Sequence, residues 1–459
     1  MQQYDLVIIG AGSGNSIVGP AFDDWSIAIV EESVFGGTCL NRGCIPTKMF
    51  VHTADVALSA EHAARFNVDA RLDGVRWNEV RDRVFGRIDP MAAGGERHRT
   101  HDCPNVTVHH GRGRFTGPRE LVVTAHDGSA VTISGRQVVI AAGARPMIPQ
   151  IPGIDDVQVH TSDSIMRLDA VPEHLIVIGG GYIACELAHV FGAYGSKVSI
   201  VQRGLRLLQA EDHDVSAAIT ANFANRFDVH IGVRIEQLSR SEGDGVRVLL
   251  SDGTVLTGSH LLVAAGRVPN SDVLDAAVGG LDLHPDGRIV VDLAQRTSVP
   301  GVWALGDISS PYMLKHVANH ETKVVAHNLA HPEALRFTDH TAVPHAVFTN
   351  PQIAGVGMTE MQARAAGIEV MVAVQRYGDI AYGWALEDTT SFCKLIGDRA
   401  TRKLVGAHII GPSASSLIQQ LVQGMRFGQT IDELATGQYY IHPALGELVE
   451  NALLQFPTD

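Results

Sequence analysis

A chain of 459 residues, 45% hydrophobic and 19% charged, is expected to be globular throughout and to hold about three units at ~150 residues each. Its 50 Asp and Glu against 36 Lys and Arg give a net charge of -14, which repels nucleic acid and anionic membrane in general but leaves room for a local basic pocket. Five cysteines are too few and too odd in number for a secreted disulfide framework, so a close pair of them points to chemistry.

The chain runs directly into Tyr4-Asp5-Leu6-Val7-Ile8-Ile9-Gly10, with neither a basic leader nor an apolar signal segment. No apolar run approaches the roughly 20 residues that cross a bilayer. A cytoplasmic protein is expected.

Residues 6–9 form the first of four Val/Ile-rich segments that end in glycine, the others being 138–142 before Gly143, 175–178 before Gly179 and 261–265 before Gly266. Each is expected to be a buried strand feeding a tight turn. Helical patterns such as 183–194 lie between them, so the alternation predicts an α/β protein with doubly wound parallel sheets. The pattern appears twice, over 1–149 and 150–268, with the Pro-rich stretch 146–152 as the joint. A central segment follows over 269–340. From Val343 amphipathic strands and helices continue without a glycine fingerprint, which predicts an α+β interface domain over 341–459.

The first strand leads into Gly10-Ala11-Gly12-Ser13-Gly14-Asn15. Glycines there let the backbone approach a pyrophosphate, and a helix opening at this point would aim its N-terminus at the charge. Asn15 stands where the fingerprint calls for Gly or Ala. Glu31 ends the next strand (27–30), about 20 residues on, where a carboxylate can hold a ribose. The second copy, Gly179-Gly180-Gly181-Tyr182-Ile183-Ala184, also follows a strand and opens a helix. Its next strand (198–201) ends in Gln202 and Arg203, with Arg206 nearby and no carboxylate. Arginine can pair with a 2′-phosphate where a carboxylate would repel it, so this site is expected to prefer NADPH.

Cys39 and Cys44 lie in Gly36-Gly37-Thr38-Cys39-Leu40-Asn41-Arg42-Gly43-Cys44-Ile45-Pro46-Thr47-Lys48. Positions five apart in a regular helix are roughly 8 to 9 Å apart, too far for a disulfide, which needs Cα atoms within about 7 Å. A bridge therefore requires the backbone to distort near Gly43, leaving an easily reduced bond. Zinc is disfavoured because no second Cys or His pair stands at ligand spacing. Cys103, Cys185 and Cys393 have no such context and are expected to be ordinary thiols.

These motifs resemble those of the pyridine nucleotide-disulfide oxidoreductases, the group of glutathione reductase and dihydrolipoamide dehydrogenase, over essentially the whole chain. The cysteine segment is similar to that family's redox motif, and the run from Thr297 to Asp307 is similar to its second flavin motif. The resemblance implies FAD in the first site, with Gly10, Gly12, Gly14, Glu31, Thr38, Gly143, Gly306 and Asp307 around it and Asp307 on the ribityl chain. It implies a Lys48–Glu186 pair beside the isoalloxazine, and NADPH against Gly179, Gly181, Arg203, Arg206 and Gly266. It further implies His442 and Glu447 as a catalytic pair that reaches the cysteines of the other subunit in a homodimer. Electrons would pass from NADPH to FAD to the Cys39–Cys44 disulfide and on to a small-molecule disulfide.

Three stretches, 12–16, 314–321 and 377–384, are most similar to the mycothione reductase branch of the family. The second is also similar to dihydrolipoamide dehydrogenase, which stands as the alternative. A flavin-bound redox sensor or docking subunit is the alternative of another class.

Overall fold

The computed structural model of the chain describes residues 1–457 apart from 242 and 244. Three main sheets carry it. In the first, strands Val106–His110, Ile27–Glu31, Gln2–Ile9 and Ala130–Ile140 lie side by side in that order and run parallel. Val302–Ala304 adds a further parallel strand against Ala130–Ile140, so the segment after residue 269 completes the first sheet. Two antiparallel strands, Glu120–Thr124 and Arg112–Gly117, extend the same sheet. Leu6, Val7 and Ile8 are fully buried, as strands with helices or loops on both faces require.

The second sheet is entirely parallel, in the order Asp228–Ile231, Lys197–Gln202, His174–Ile178, His260–Val263, Val159–His160. A three-stranded antiparallel sheet over residues 235–258 packs against it through Leu238, Val248 and Leu261. Entry to this unit and exit from it are stitched together, because Ala144–Pro146 pairs antiparallel with Arg267–Pro269. The third sheet is antiparallel, in the order Pro344–Val347, Ile353–Gly357, Lys403–Ile410, Phe392–Asp398, Val370–Arg376. Helices Ala414–Phe427 and Gly446–Leu454 cover one of its faces. Among the described residues no helix is long and apolar enough to cross a membrane.

One expected element is replaced. The first fingerprint does not open an α-helix; it passes into two short 3-10 turns, Gly14–Ile17 and Pro20–Phe22. Pro20 has no N–H to continue a helix, and it disfavours helical backbone at Gly19. The carbonyls of Asn15 and Val18 instead accept from the Arg99 guanidinium, which also donates to Asn15 Oδ1 at 2.8 Å. The second fingerprint opens the helix Tyr182–Ala193, as expected.

Candidate active site

The cysteine segment forms two helices rather than one. Gly37–Asn41 ends at Arg42, where φ is -152°, and Cys44–Glu61 begins after Gly43, where φ and ψ are -137° and -118°. The distortion expected at Gly43 therefore falls between the cysteines. It brings the two thiols, both free, into hydrogen-bond contact. Asn41, buried beneath them, donates to Phe35 O at 2.8 Å and ties the turn down. Gly37 has a left-handed backbone, and a Cβ there would come within 2.7 Å of Gly12 Cα, so only glycine lets the redox segment lie this close to the fingerprint loop.

The two thiols differ electrically. Cys44 is pulled down to about 7, first by the hydrogen bond it accepts from the Cys39 thiol and then by the nearby charge of Lys48. It is also the first residue of an 18-residue helix, a position that favours thiolate. Cys39 is pushed up by donating that bond and by burial. The negative charge of the pair thus rests on Cys44.

Lys48 lies one turn along the same helix, and its Nζ is 2.7 and 2.8 Å from the two carboxylate oxygens of Glu186. Glu186 is buried on the helix after the second fingerprint and also accepts from the Phe348 N–H at 2.9 Å, so it joins all three sheet units. Asp307 lies in a 3-10 turn just after the short strand Val302–Ala304, with its carboxyl raised by burial and Arg267 at 4.0 Å. The N–H of Gly306 donates to Glu321 Oε2 at 2.7 Å. Burial pushes the Glu321 carboxyl up to about 7.

A cavity of about 600 Å³ joins these pieces. Gly10, Gly12, Glu31, Thr38, Cys39, Cys44, Lys48, Gly143, Glu186, Gly306 and Asp307 all line it. Glu31 Oε2 accepts from the Ala11 N–H at 2.8 Å, fixing the fingerprint loop across the end of the neighbouring strand. Gly14 lies outside the cavity, buried so that a Cβ would come within 2.7 Å of Ala141 Cβ; its place is in the packing of the sheet. The glycine-lined floor, the ribose-level carboxylate and the deep Asp307 suit a dinucleotide that ends beside the thiols.

Gly179, Gly181, Arg203, Arg206 and Gly266 do not line that cavity. They lie around the second fingerprint, of which only Tyr182, Ile183, Glu186 and Leu187 on its helix reach it. Arg203 is exposed and has no partner among the described residues, and Arg206 Nε is buried without one. Unpaired guanidinium groups just past the strand Lys197–Gln202 fit a phosphate better than a ribose hydroxyl.

His442 and Glu447 form a third group. Nδ1 of His442 is 2.5 Å from Glu447 Oε1, and the imidazole is 70% exposed. This pair lies outside the cavity, among exposed apolar residues that include Tyr439 and Ile441. Of the remaining thiols, Cys185 and Cys393 are buried with raised pKa, and Cys103 sits beside Arg99.

Sequence reasoning passed over several cavity residues. Arg42 bridges Ser33 Oγ at 2.6 Å and Asp163 at 3.3 Å, and its position between the cysteines was a signal. Lys315 lines the cavity and Glu321 lies behind Gly306, both within 314–321, but nothing local marks them as neighbours of Ser13 and Gly306.

Two dinucleotide-binding sheets that meet at a cysteine pair define a flavin- and nicotinamide-linked dithiol oxidoreductase. The model for "Pyridine nucleotide-disulphide oxidoreductase" matches residues 4–322, and that for the family's dimerisation domain matches 343–453. This chain belongs to the pyridine nucleotide-disulphide oxidoreductase family, whose members use FAD and NAD(P)H. It is 50% identical to mycothione reductase of Mycobacterium tuberculosis (strain ATCC 25618 / H37Rv), over 99% of each chain. It is 32% identical to glutathione reductase of Burkholderia cepacia, over 97% of this chain and 98% of that one. Among solved structures, the HOCl-induced flavoprotein disulfide reductase RclA from Escherichia coli superposes with a TM-score of 0.87 at 29% identity, covering 99% of this chain and all of that one.

Proposed function

We propose that this chain is an NADPH-dependent reductase of a low-molecular-weight disulfide, with mycothione, the disulfide of mycothiol, as substrate. The observation that carries the reading is the contact of the Cys39 and Cys44 thiols inside the cavity, with the Lys48–Glu186 pair beside Cys44. The 50% identity to a mycothione reductase supports the choice of substrate. The unpaired Arg203 and Arg206 support NADPH, and weigh against the dihydrolipoamide dehydrogenase alternative. The reading divides the chain at 149, 268 and 340 and places the protein in the cytoplasm.

FAD, held by Gly10, Gly12, Glu31 and Asp307 along the cavity, would supply the hydride and electron-pair chemistry that links NADPH to the cysteine disulfide. The side chains do the rest. Cys39, once deprotonated, attacks one sulfur of the substrate disulfide; a mixed disulfide forms and one thiol leaves with a proton. Cys44 then attacks Sγ of Cys39, releasing the second thiol and closing the Cys39–Cys44 bond. Because Cys39 holds its proton tightly, it needs a base. His442, held by Glu447 on the exposed face of the dimerisation domain, is suited to supply it across a homodimer interface, so that each site draws on both subunits.

The test is NADPH oxidation by the purified protein with mycothiol disulfide, glutathione disulfide and lipoamide in parallel. Mycothiol disulfide should give a kcat/KM at least tenfold above the others. Preference for lipoamide, or flavin reduction with no disulfide turned over, would overturn the assignment, the latter in favour of a redox sensor.

A further inference from the structure

Six Lys and Arg side chains line the cavity. Five are ion-paired with a carboxylate within 4.0 Å: Arg42 with Asp163, Lys48 with Glu186, Arg112 with Glu32, Arg145 with Asp272 and Arg267 with Asp307. Lys315 has no carboxylate partner among the described residues. Its Nζ donates to Ser13 Oγ at 2.7 Å, across 302 positions of sequence. Ser13 lies in the first glycine fingerprint, where the backbone must approach a pyrophosphate.

The position of Lys315 in its own helix is unfavourable. It is the first residue of the 16-residue helix Lys315–Ala330, whose first turn contains no acidic residue and whose N-cap, Leu314, provides no side-chain cap. A cation there adds to the positive end of the helix dipole instead of opposing it. An unpaired ammonium and a helix N-terminus therefore converge on one side of the fingerprint loop. That same loop lacks the α-helix that would ordinarily face the phosphates, having only the 3-10 turn Gly14–Ile17.

We propose that Lys315 is the counter-charge for the pyrophosphate of the flavin dinucleotide, taking the place of the missing fingerprint helix. The inference rests on the cavity being the FAD site. Ser13 would orient the ammonium, and the phosphate oxygens would accept from it in a charge-assisted hydrogen bond. Lys315 also faces Asp307 and Cys39, so the competing role is support of the reacting centre.

The experiment measures FAD binding to the deflavinated full-length protein by quenching of flavin fluorescence, at several salt concentrations. Lys315→Gln keeps a donor to Ser13 and loses the charge, and should weaken FAD binding about ten- to a hundredfold while flattening its salt dependence. Lys315→Arg should restore most of the affinity. The melting temperature of the flavin-free protein should not fall in Lys315→Gln, whereas a merely structural lysine would lower it. FAD affinity unchanged in Lys315→Gln would overturn the proposal, as would unchanged affinity with a shifted pH profile for alkylation of Cys39. If Lys315→Gln did not fold, Lys315→Met takes its place, and an unaltered FAD affinity in that variant at every salt concentration would overturn the proposal too. Failure of the unmodified protein to bind any flavin would instead sink the assignment of the cavity.

Discussion

Gly10 and Gly179 occupy the same place in two fingerprints. Each follows a buried parallel strand and has left-handed backbone, and a Cβ on either would overlap a carbonyl oxygen just past the end of a neighbouring parallel strand, that of Ala141 after Ala130–Ile140 and that of Ala264 after His260–Val263. Beyond that point the loops part. The second runs into a 12-residue helix capped by Gly181, while the first breaks into 3-10 turns held by Arg99. The fingerprint thus dictates the turn, not the helix after it. A phosphate at the first loop would meet a side-chain cation from a distant helix, and one at the second would meet a helix end together with Arg203 and Arg206. The first half also supplies the thiols, whereas the second, on the proposed reading, selects the nicotinamide.

The sharpest way to break this division is to remove the thiols. Cys39→Ser and Cys44→Ser should each lower disulfide turnover by roughly a thousandfold or more, while rapid-mixing absorbance still shows flavin reduction by NADPH at close to the normal rate. Loss of flavin reduction in both would mean that the two halves are not separable in this way.

A smaller effect is expected in the second half. Arg203→Glu should cut kcat/KM for NADPH by about ten- to a hundredfold, leave NADH nearly unaffected and leave the FAD content unaltered. Steady-state kinetics with both nucleotides decides this, and an unchanged preference would remove Arg203 from the phosphate site.

The smallest effect is a shift in pH. The Cys44 thiol is lowered from about 9 to about 7, so its thiolate exists above pH 7 and is lost as pH falls through that value. Long-wavelength thiolate-to-flavin absorbance of the reduced enzyme should therefore rise with a midpoint near pH 7. Lys48→Met should move the midpoint upward, because a positive charge that favours the thiolate is gone. A midpoint that does not respond to Lys48→Met would show that Lys48 does not set it and leave the Cys39 hydrogen bond and the helix N-terminus.

Much was legible in the sequence because it was local. Strands at 6–9, 27–30, 175–178 and 198–201 lie within Gln2–Ile9, Ile27–Glu31, His174–Ile178 and Lys197–Gln202, since a short Val/Ile-rich run bounded by glycine or polar residues specifies a buried parallel strand with little outside help. The family order of the motifs made the chemistry of the cysteine pair legible too, and the five-residue spacing alone pointed to the distorted backbone at Gly43. The helix expected after Gly14 does not form, because Gly19-Pro20 interrupts it and because the Arg99 side chain that takes the free carbonyls lies more than 80 residues away, beyond the reach of any local pattern.

The sequence by itself determined the two fingerprints, the dithiol and the α+β last unit, all of which follow from spacing along a few turns of chain, whereas the antiparallel order of that unit came from the structure. Tertiary structure brings the charges together, and only the family resemblance anticipated one such pair, Lys48 with Glu186. Lys48 finds Glu186 across 138 residues and Lys315 finds Ser13 across 302, while Arg203 and Arg206 find no partner among the described residues. Nothing local separates a paired lysine from an unpaired one. Pairing depends on which helix ends the folded sheets bring to one cavity, and the strength of a charge depends on the solvent that the cavity excludes.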